Sequence, residues 1–324
     1  MIVRWGLDEL PALLEEIGSK RPALVSSERW REIDVDTDLR HHGVRPHAPV
    51  ETVEAALGAA EGADAVLAIG GGSAIDTGKA VSAGRRLPLI SVPTTYAGAE
   101  WTPYYGMRDE ARRSKSGGSG AWLAGAVYEP KLTLDLPRPE TGGTAMNALA
   151  HCAEALYVNG HNPDADEHAL AGAQLISEWL PRVLDDGHDL TARTRLLEGA
   201  CEAGAALGGS GLALGHALAQ ALGGLYGLPH GALNAICLAP ALRFNMDVAG
   251  DAIARFGEAM GTEDPIGRVE ELARLSGFTR LRDLGVPEQE LGLVAEAAAA
   301  RPGARANPRP ASPAQVEDLL RSVW

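Results

Sequence analysis

Residues 66–79, VLAIGGGSAIDTGK, admit few backbones. Val66, Leu67, Ala68 and Ile69 form an apolar run of the length of a buried strand. Gly70, Gly71 and Gly72 follow, and residues 76–83 read as the opening turns of a helix. Glycines between a strand and a helix let an anionic group approach the backbone closely. The helix behind them offers unpaired N–H groups and the positive end of its dipole. The stretch is therefore a pyrophosphate cradle or a tight strand-to-helix turn without a ligand. It matches neither G-x-G-x-x-G nor a P-loop, because Lys79 comes too late and Ala80 follows it.

The flanking sequence reads as a parallel α/β domain. MIVRW is strand-like and LDELPALLEEIG follows with helical spacing; 23–26 is a second buried strand and 50–63 a helix leading into the glycines. Ser27 stands where such folds meet the adenosine ribose, with Glu28 and Arg29 behind it, so the choice between NAD and NADP stays open. Residues 87–92 read as the next strand and run into PTTYAGAE, whose hydroxyls and backbone N–H groups sit where open α/β sheets bind ligands. Residues 102–119 are polar and hairpin-like, and 126–128 and 132–134 are expected as the last strands. LPRP at 136–139 marks a boundary, giving domains 1–138 and 139–324. Beyond it the pattern is helical throughout: 144–158, 165–185, 191–208, 211–223, 231–247, 250–259, 266–276, 287–299 and 313–323, with 301–310 a proline-rich connector. An α/β domain followed by an all-α domain implies a cleft between them.

Charge narrows the partners. With 29 basic and 43 acidic residues the net charge is -14, which disfavours nucleic acid and anionic membrane surfaces. Cys152, Cys201 and Cys237 are odd in number and embedded in apolar helical patterns, so they read as small buried residues of a reducing compartment. No signal pattern or membrane-spanning apolar run is visible, and the cytoplasm is the expected location.

The histidines carry the second signal. Asn147 and His151 are four apart and share a helix face, as do His216 and Gln220. His230 opens another helix after Pro229. These groups are expected to converge, whereas His41, His42, His47, His161, His168 and His188 read as surface residues. His151, His216 and His230 would supply imidazoles to iron or zinc, but Asn147 is neutral where a carboxylate is wanted. Without metal, the same imidazoles would donate to a substrate oxygen that gains charge during hydride transfer.

AIGGGSAIDTGKA, SVPTTYAGAEWTP, MNALAHCAEALY and GLPHGALNAICLAPALRFN, in that order, resemble the iron-containing alcohol dehydrogenase superfamily. VRPHAPVETVEAAL, MNALAH and the closing NPRP before a helix are most similar to its maleylacetate reductase branch. The resemblance implies a dehydroquinate synthase-like fold, with a Rossmann-like N-terminal α/β domain, a helical C-terminal domain and a homodimer. It also implies hydride transfer between NAD(H) or NADP(H) and a small-molecule substrate in the interdomain cleft. Gly71, Gly72 and Ser73, with Asp76 behind them, correspond to the pyrophosphate loop; Thr94, Thr95, Thr102 and Lys115 correspond to further cofactor contacts. The family's metal ligands are an Asp, a His four later, and two His fourteen apart. Asn147 replaces the Asp here, as in maleylacetate reductases, which are expected to work without metal.

Other positions depart from that branch: Gln220 stands for a histidine, Gly231-Ala232 for Ala-Glu and Asn234 for a histidine. Gly215 and Ala217 flank His216 where the branch tends to have His and Lys. A carboxylated substrate needs cations, and Arg243, Arg108 and Lys115 are those near the motifs. The leading expectation is a metal-independent NAD(P)H reductase acting on an activated C=C or C=O. The alternatives are a metal-dependent alcohol dehydrogenase, a dehydroquinate synthase-like lyase, and a nucleotide-binding protein without catalysis.

Overall fold

The computed structural model describes residues 1–109 and 114–324, with the backbone alone at Ser114 and Lys115. Two compact units divide the chain: residues 1–95 with 99–133, and residues 96–98 with 134–324.

The first unit is built on a six-stranded parallel sheet. Its strands are β1 (Ile2–Trp5), β2 (Pro22–Ser26), β3 (Arg40–His41), β4 (Ala65–Gly70), β5 (Pro88–Pro93) and, after a separate antiparallel pair β6 (Tyr105–Asp109) and β7 (Ser114–Gly118), β8 (Trp122–Tyr128). The order is β1-β8-β5-β4-β2-β3. Three helices accompany the sheet: α1 (Leu10–Glu16), α2 (Val50–Ala59) and α3 (Gly72–Arg85).

Alternation along β4 explains why its residues are apolar without a break. Val66 and Ala68 pack with Ala56 and Ala60 beside α2 and with Ala74 and Val81 of α3. Leu67 and Ile69 point the other way, onto Leu10 and Leu13 of α1. A strand covered by helices on both faces has no polar side to show.

The second unit is helical: α4 (Arg138–Ala155), α5 (Pro163–Asp185), α6 (Leu190–Ser210), α7 (Leu214–Tyr226), α8 (His230–Ala259), α9 (Pro265–Leu275), α10 (Leu291–Ala299), α11 (Pro302–Ala306) and α12 (Pro313–Ser322). Helix α4 is its axis, buried almost without interruption from Thr141 to Ala155. Only small side chains allow neighbours this close all round. A Cβ on Gly231 would come 2.4 Å from the Gly143 carbonyl carbon, so the start of α8 rests directly on the α4 backbone. Among the described residues no helix is long and apolar enough to cross a membrane.

Several expectations are corrected. Residues 132–134 do not form a strand, because Pro130–Thr133 is a 3-10 turn in which the Thr133 hydroxyl donates to the Pro130 carbonyl at 2.7 Å. Helix α4 starts at Arg138, with Pro139 in its first turn, where a missing N–H costs nothing. The start expected at 144 is therefore six residues late. Helix α3 begins at Gly72, several residues before 76, which places the glycines at its N-terminus. Residues 231–247 and 250–259, expected as two helices, run on as α8, and the expected break is kept in the backbone, which leaves helical geometry at Ala249 with φ -134° and ψ 25°. The connector 301–310 contains α11. His41 and His42 are half buried, not surface residues, and the His42 Nδ1 lies 2.8 Å from the buried Ser26 hydroxyl.

Candidate active site

In the first unit the glycine stretch forms a cradle. Gly70 adopts φ +146°, Gly71 is the N-cap of α3, and Thr94 N donates to the Gly70 carbonyl at 3.0 Å. A Cβ on Gly71 would sit 2.9 Å from Thr95 Cγ2, so the space above the loop exists only because a glycine is there. No side chain caps α3 and its first turn carries no acidic residue. The first N–H groups of a helix, here those of Gly72 and Ser73, have no intrahelical acceptors, while Ala74 N already donates to the Gly71 carbonyl at 2.9 Å. Such a bare, glycine-lined helix start fits the pyrophosphate of a dinucleotide. Gly71, Gly72, Ser73, Thr94 and Thr95 are the residues brought together there.

Asp76 and Thr102 serve a different partner. Both lie 3.4 Å from the Nζ of Lys79, and Asp76 Oδ2 also accepts the Gly106 N–H at 3.1 Å. Lys79 is itself buried and donates to the Tyr104 carbonyl at 2.7 Å, tying α3 to β6. Burial lowers its pKa, an effect that Asp76 and Glu100 oppose. The Lys115 side chain lies outside the described residues.

In the second unit Asn147, His151 and Glu154 follow one face of α4 at intervals of four and three. The Glu154 carboxylate is fully buried and accepts three N–H groups: Ala213 N at 2.6 Å, His216 N at 3.0 Å and His216 Nδ1 at 2.8 Å. It thereby caps α7, whose own N-cap residue Ala213 offers no side-chain acceptor. Gly215 makes this possible, since a Cβ there would lie 2.8 Å from Glu154 Oε1.

The Asn147 amide occupies the centre. Its Nδ2 donates to the Ala97 carbonyl at 3.0 Å. A carbonyl only accepts, so this bond sets the amide's orientation. Its Oδ1 then accepts Asn234 Nδ2 at 2.6 Å and faces His216 Nε2 at 3.3 Å. His216 therefore has an acceptor facing each of its ring nitrogens.

The other two imidazoles flank His216. His151 stacks on it with ring centroids 4.7 Å apart, and its Nε2 lies 3.5 Å from Asn147 Nδ2. Burial holds its pKa well below the ordinary 6.5, and the charges of His216 and His230 push the same way. His230 is half buried at the start of α8, with its ring centroid 5.8 Å from that of His216. Gln220, one turn beyond His216, is half buried, and among the described residues its side chain makes no hydrogen bond to the three histidines.

The side chains that face one another here are an amide and three imidazoles, so an iron or zinc ion would find no carboxylate or thiolate among them. The nitrogens of His151 and His216 that face the centre address the amide, whose oxygen is already taken by Asn234. Among the described residues no three His, Cys, Asp or Glu side chains are arranged to hold a metal. A neutral amide also lacks the charge by which a carboxylate would ligate one.

Sequence reasoning missed Glu154 and Arg193, and it named Asn234 and Gly215 only as departures from the reductase branch. Glu154 carried a signal, its place three residues after His151, and Asn234 stands four after His230. Arg193 carried none. Its buried guanidinium donates to the Tyr96 hydroxyl, the Thr141 hydroxyl and several carbonyls, securing the segment that ends in Ala97 and Gly98.

Residues 3–123 match the model of the iron-containing alcohol dehydrogenases, and residues 141–324 match that of the C-terminal part of the Fe-containing alcohol dehydrogenase family. Maleylacetate reductase of Burkholderia cepacia is 36% identical over 337 residues, covering 99% of this chain and 95% of the relative. Maleylacetate reductase 1 of Rhodococcus opacus is 35% identical over 322 residues, covering 96% and 90%. Among solved structures, a putative alcohol dehydrogenase of Ralstonia eutropha JMP134 superposes with TM-score 0.93 at 32% identity, covering 100% of this chain and 95% of the other. Maleylacetate reductase of Agrobacterium tumefaciens superposes with TM-score 0.91 at 29% identity, covering 100% and 95%.

Proposed function

We propose, because the chain belongs to the iron-containing alcohol dehydrogenase family on its maleylacetate reductase-like branch, that it reduces a small carboxylated carbonyl compound of the maleylacetate type without a metal ion. As a family member it is an NAD(P)-dependent oxidoreductase. The observation that carries the metal-free reading is the Asn147 amide, held by Ala97 and Asn234 in the place where a metal-ligating carboxylate would stand.

A nicotinamide dinucleotide, when bound, supplies the hydride. Gly71, Gly72 and Ser73 at the start of α3 hold its pyrophosphate. Hydride addition to a conjugated C=C or to a C=O moves an electron pair onto the carbonyl oxygen. That oxyanion needs N–H donors fixed in advance. His216 and His230 provide them, and Glu154 holds His216 by Nδ1 so that the ring presents Nε2.

Two measurements test this. In protein purified without chelator, activity on maleylacetate should not follow metal content; a stoichiometric metal required for turnover overturns the metal-free reading. His216→Ala should lower kcat by roughly 10²–10⁴ with dinucleotide affinity unchanged. An unaltered kcat removes His216 from the mechanism.

A further inference from the structure

Arg301 is a half-buried cation that no acidic side chain among the described residues neutralises. It is the N-cap of α11, and its side chain lies along α7. Its one hydrogen bond is a long one, from Nη2 to the Gln220 carbonyl at 3.4 Å, and among the described residues no acidic side chain pairs with it. Burial alone lowers its pKa, and no carboxylate raises it back. The buried Arg193 shows what a satisfied guanidinium looks like in the same unit, surrounded by carbonyl and hydroxyl acceptors. A desolvated cation left with a single poor acceptor is costly, and an anionic ligand removes that cost.

The position of Arg301 suggests which ligand. His216, Gln220 and Gly224 succeed each other at intervals of four along α7. The guanidinium rests beside Gln220 and over Gly224, where a Cβ would stand 3.3 Å from Nη2. At a rise of about 1.5 Å per residue this lies roughly 6–12 Å along the helix from His216. A short-chain oxo acid with its reacting oxygen at His216 spans that length. A guanidinium fork matches a carboxylate in two parallel bonds.

We propose that Arg301 binds the substrate carboxylate remote from the reacting carbonyl and so makes the chain selective for oxo acids over neutral carbonyl compounds. The assignment rests on the reductase reading above and names the residue that sets its substrate class.

The test measures three quantities on the full chain: glutarate binding by calorimetry, kinetics on maleylacetate and on its dimethyl ester, and melting temperature. Arg301→Met should weaken glutarate binding and raise KM for the diacid by about ten- to a hundredfold. It should leave kcat and the KM of the ester nearly unchanged, and Arg301→Lys should recover part of the loss. If Arg301 only capped the carbonyls of α7, the Met variant would melt lower and keep its selectivity. The present assignment expects melting at or above that of the wild type.

Gly224→Ala, favourable to the helix, crowds the guanidinium and should move KM for the diacid in the same direction by less. Equal glutarate binding by wild type and Arg301→Met overturns the proposal. Equal reduction of ester and diacid by the wild type overturns it too, while the oxidoreductase reading stands. Glutarate binding that depends on Arg301 in a protein that reduces no carbonyl compound supports the arginine assignment and defeats the reductase reading.

Discussion

Glu154 in the second unit and Glu100 in the first are both buried carboxyls, and they differ in the donors that meet them. Glu154 receives three N–H groups, two from the start of α7 and one from His216. Glu100 receives a single hydroxyl, from Tyr128 at 2.7 Å, and its Oε2 has no hydrogen-bond partner. Burial pushes the pKa of Glu100 above its ordinary 4.5, against the weaker pull of its hydrogen bonds and of Lys79. A carboxylate serves as a buried anchor where several N–H groups converge on it. Where one hydroxyl does, burial prevails and the pKa rises. The histidine centre of the second unit depends on the first condition.

Three substitutions test that contrast, the largest effect first. Glu154→Gln turns an acceptor into a donor facing N–H groups, and should cost about 3 kcal/mol of unfolding free energy in denaturant titration. It should also lower kcat, because His216 loses the partner that aligns it. Unchanged stability would mean that the three N–H contacts hold nothing.

Glu100→Gln tests the other side through pH. The folded state keeps the Glu100 proton after the unfolded chain has released it near 4.5. Its stabilising contribution is therefore complete below that pH and is lost as pH rises through the raised folded value. The wild type should lose stability relative to Glu100→Gln over this window, by up to about 1.4 kcal/mol per pH unit. Parallel pH profiles for the two proteins would place Glu100 in an ordinary environment.

Gly215→Ala has the smallest expected effect. Its methyl group would press on Glu154 Oε1, the movable end of a side chain, while alanine favours the helix. Stability should change by less than about 1 kcal/mol while kcat falls, separating alignment of His216 from folding. Loss of both together would argue against that separation.

Much of the first unit was legible because its signals are local. Apolar runs of strand length marked β2, β4 and β5, and the glycines marked the turn before α3. Residues 132–134 misled because three apolar-rich residues cannot distinguish a strand from a turn. The first turns of α4 before 144 were not legible, because Gly142 and Gly143 weaken the local helical pattern. In the second unit the four-residue spacing of Asn147 and His151 put both on one face of α4. Their surroundings were not legible: His216 meets Glu154 across 62 residues of chain, and Asn234 meets Asn147 across 87.

The sequence by itself determined the alternation of the sheet, the glycine cradle, the helical second half and the family. All of these are written in the period or order of neighbouring residues. Tertiary structure alone decided three matters: that the Ala97 carbonyl orients the Asn147 amide, that Glu154 reaches His216 past a glycine, and that Arg301 meets no carboxylate among the described residues. Each depends on which polar groups meet inside the fold. That depends on close helix crossings such as Gly143 on Gly231, which no local spacing specifies.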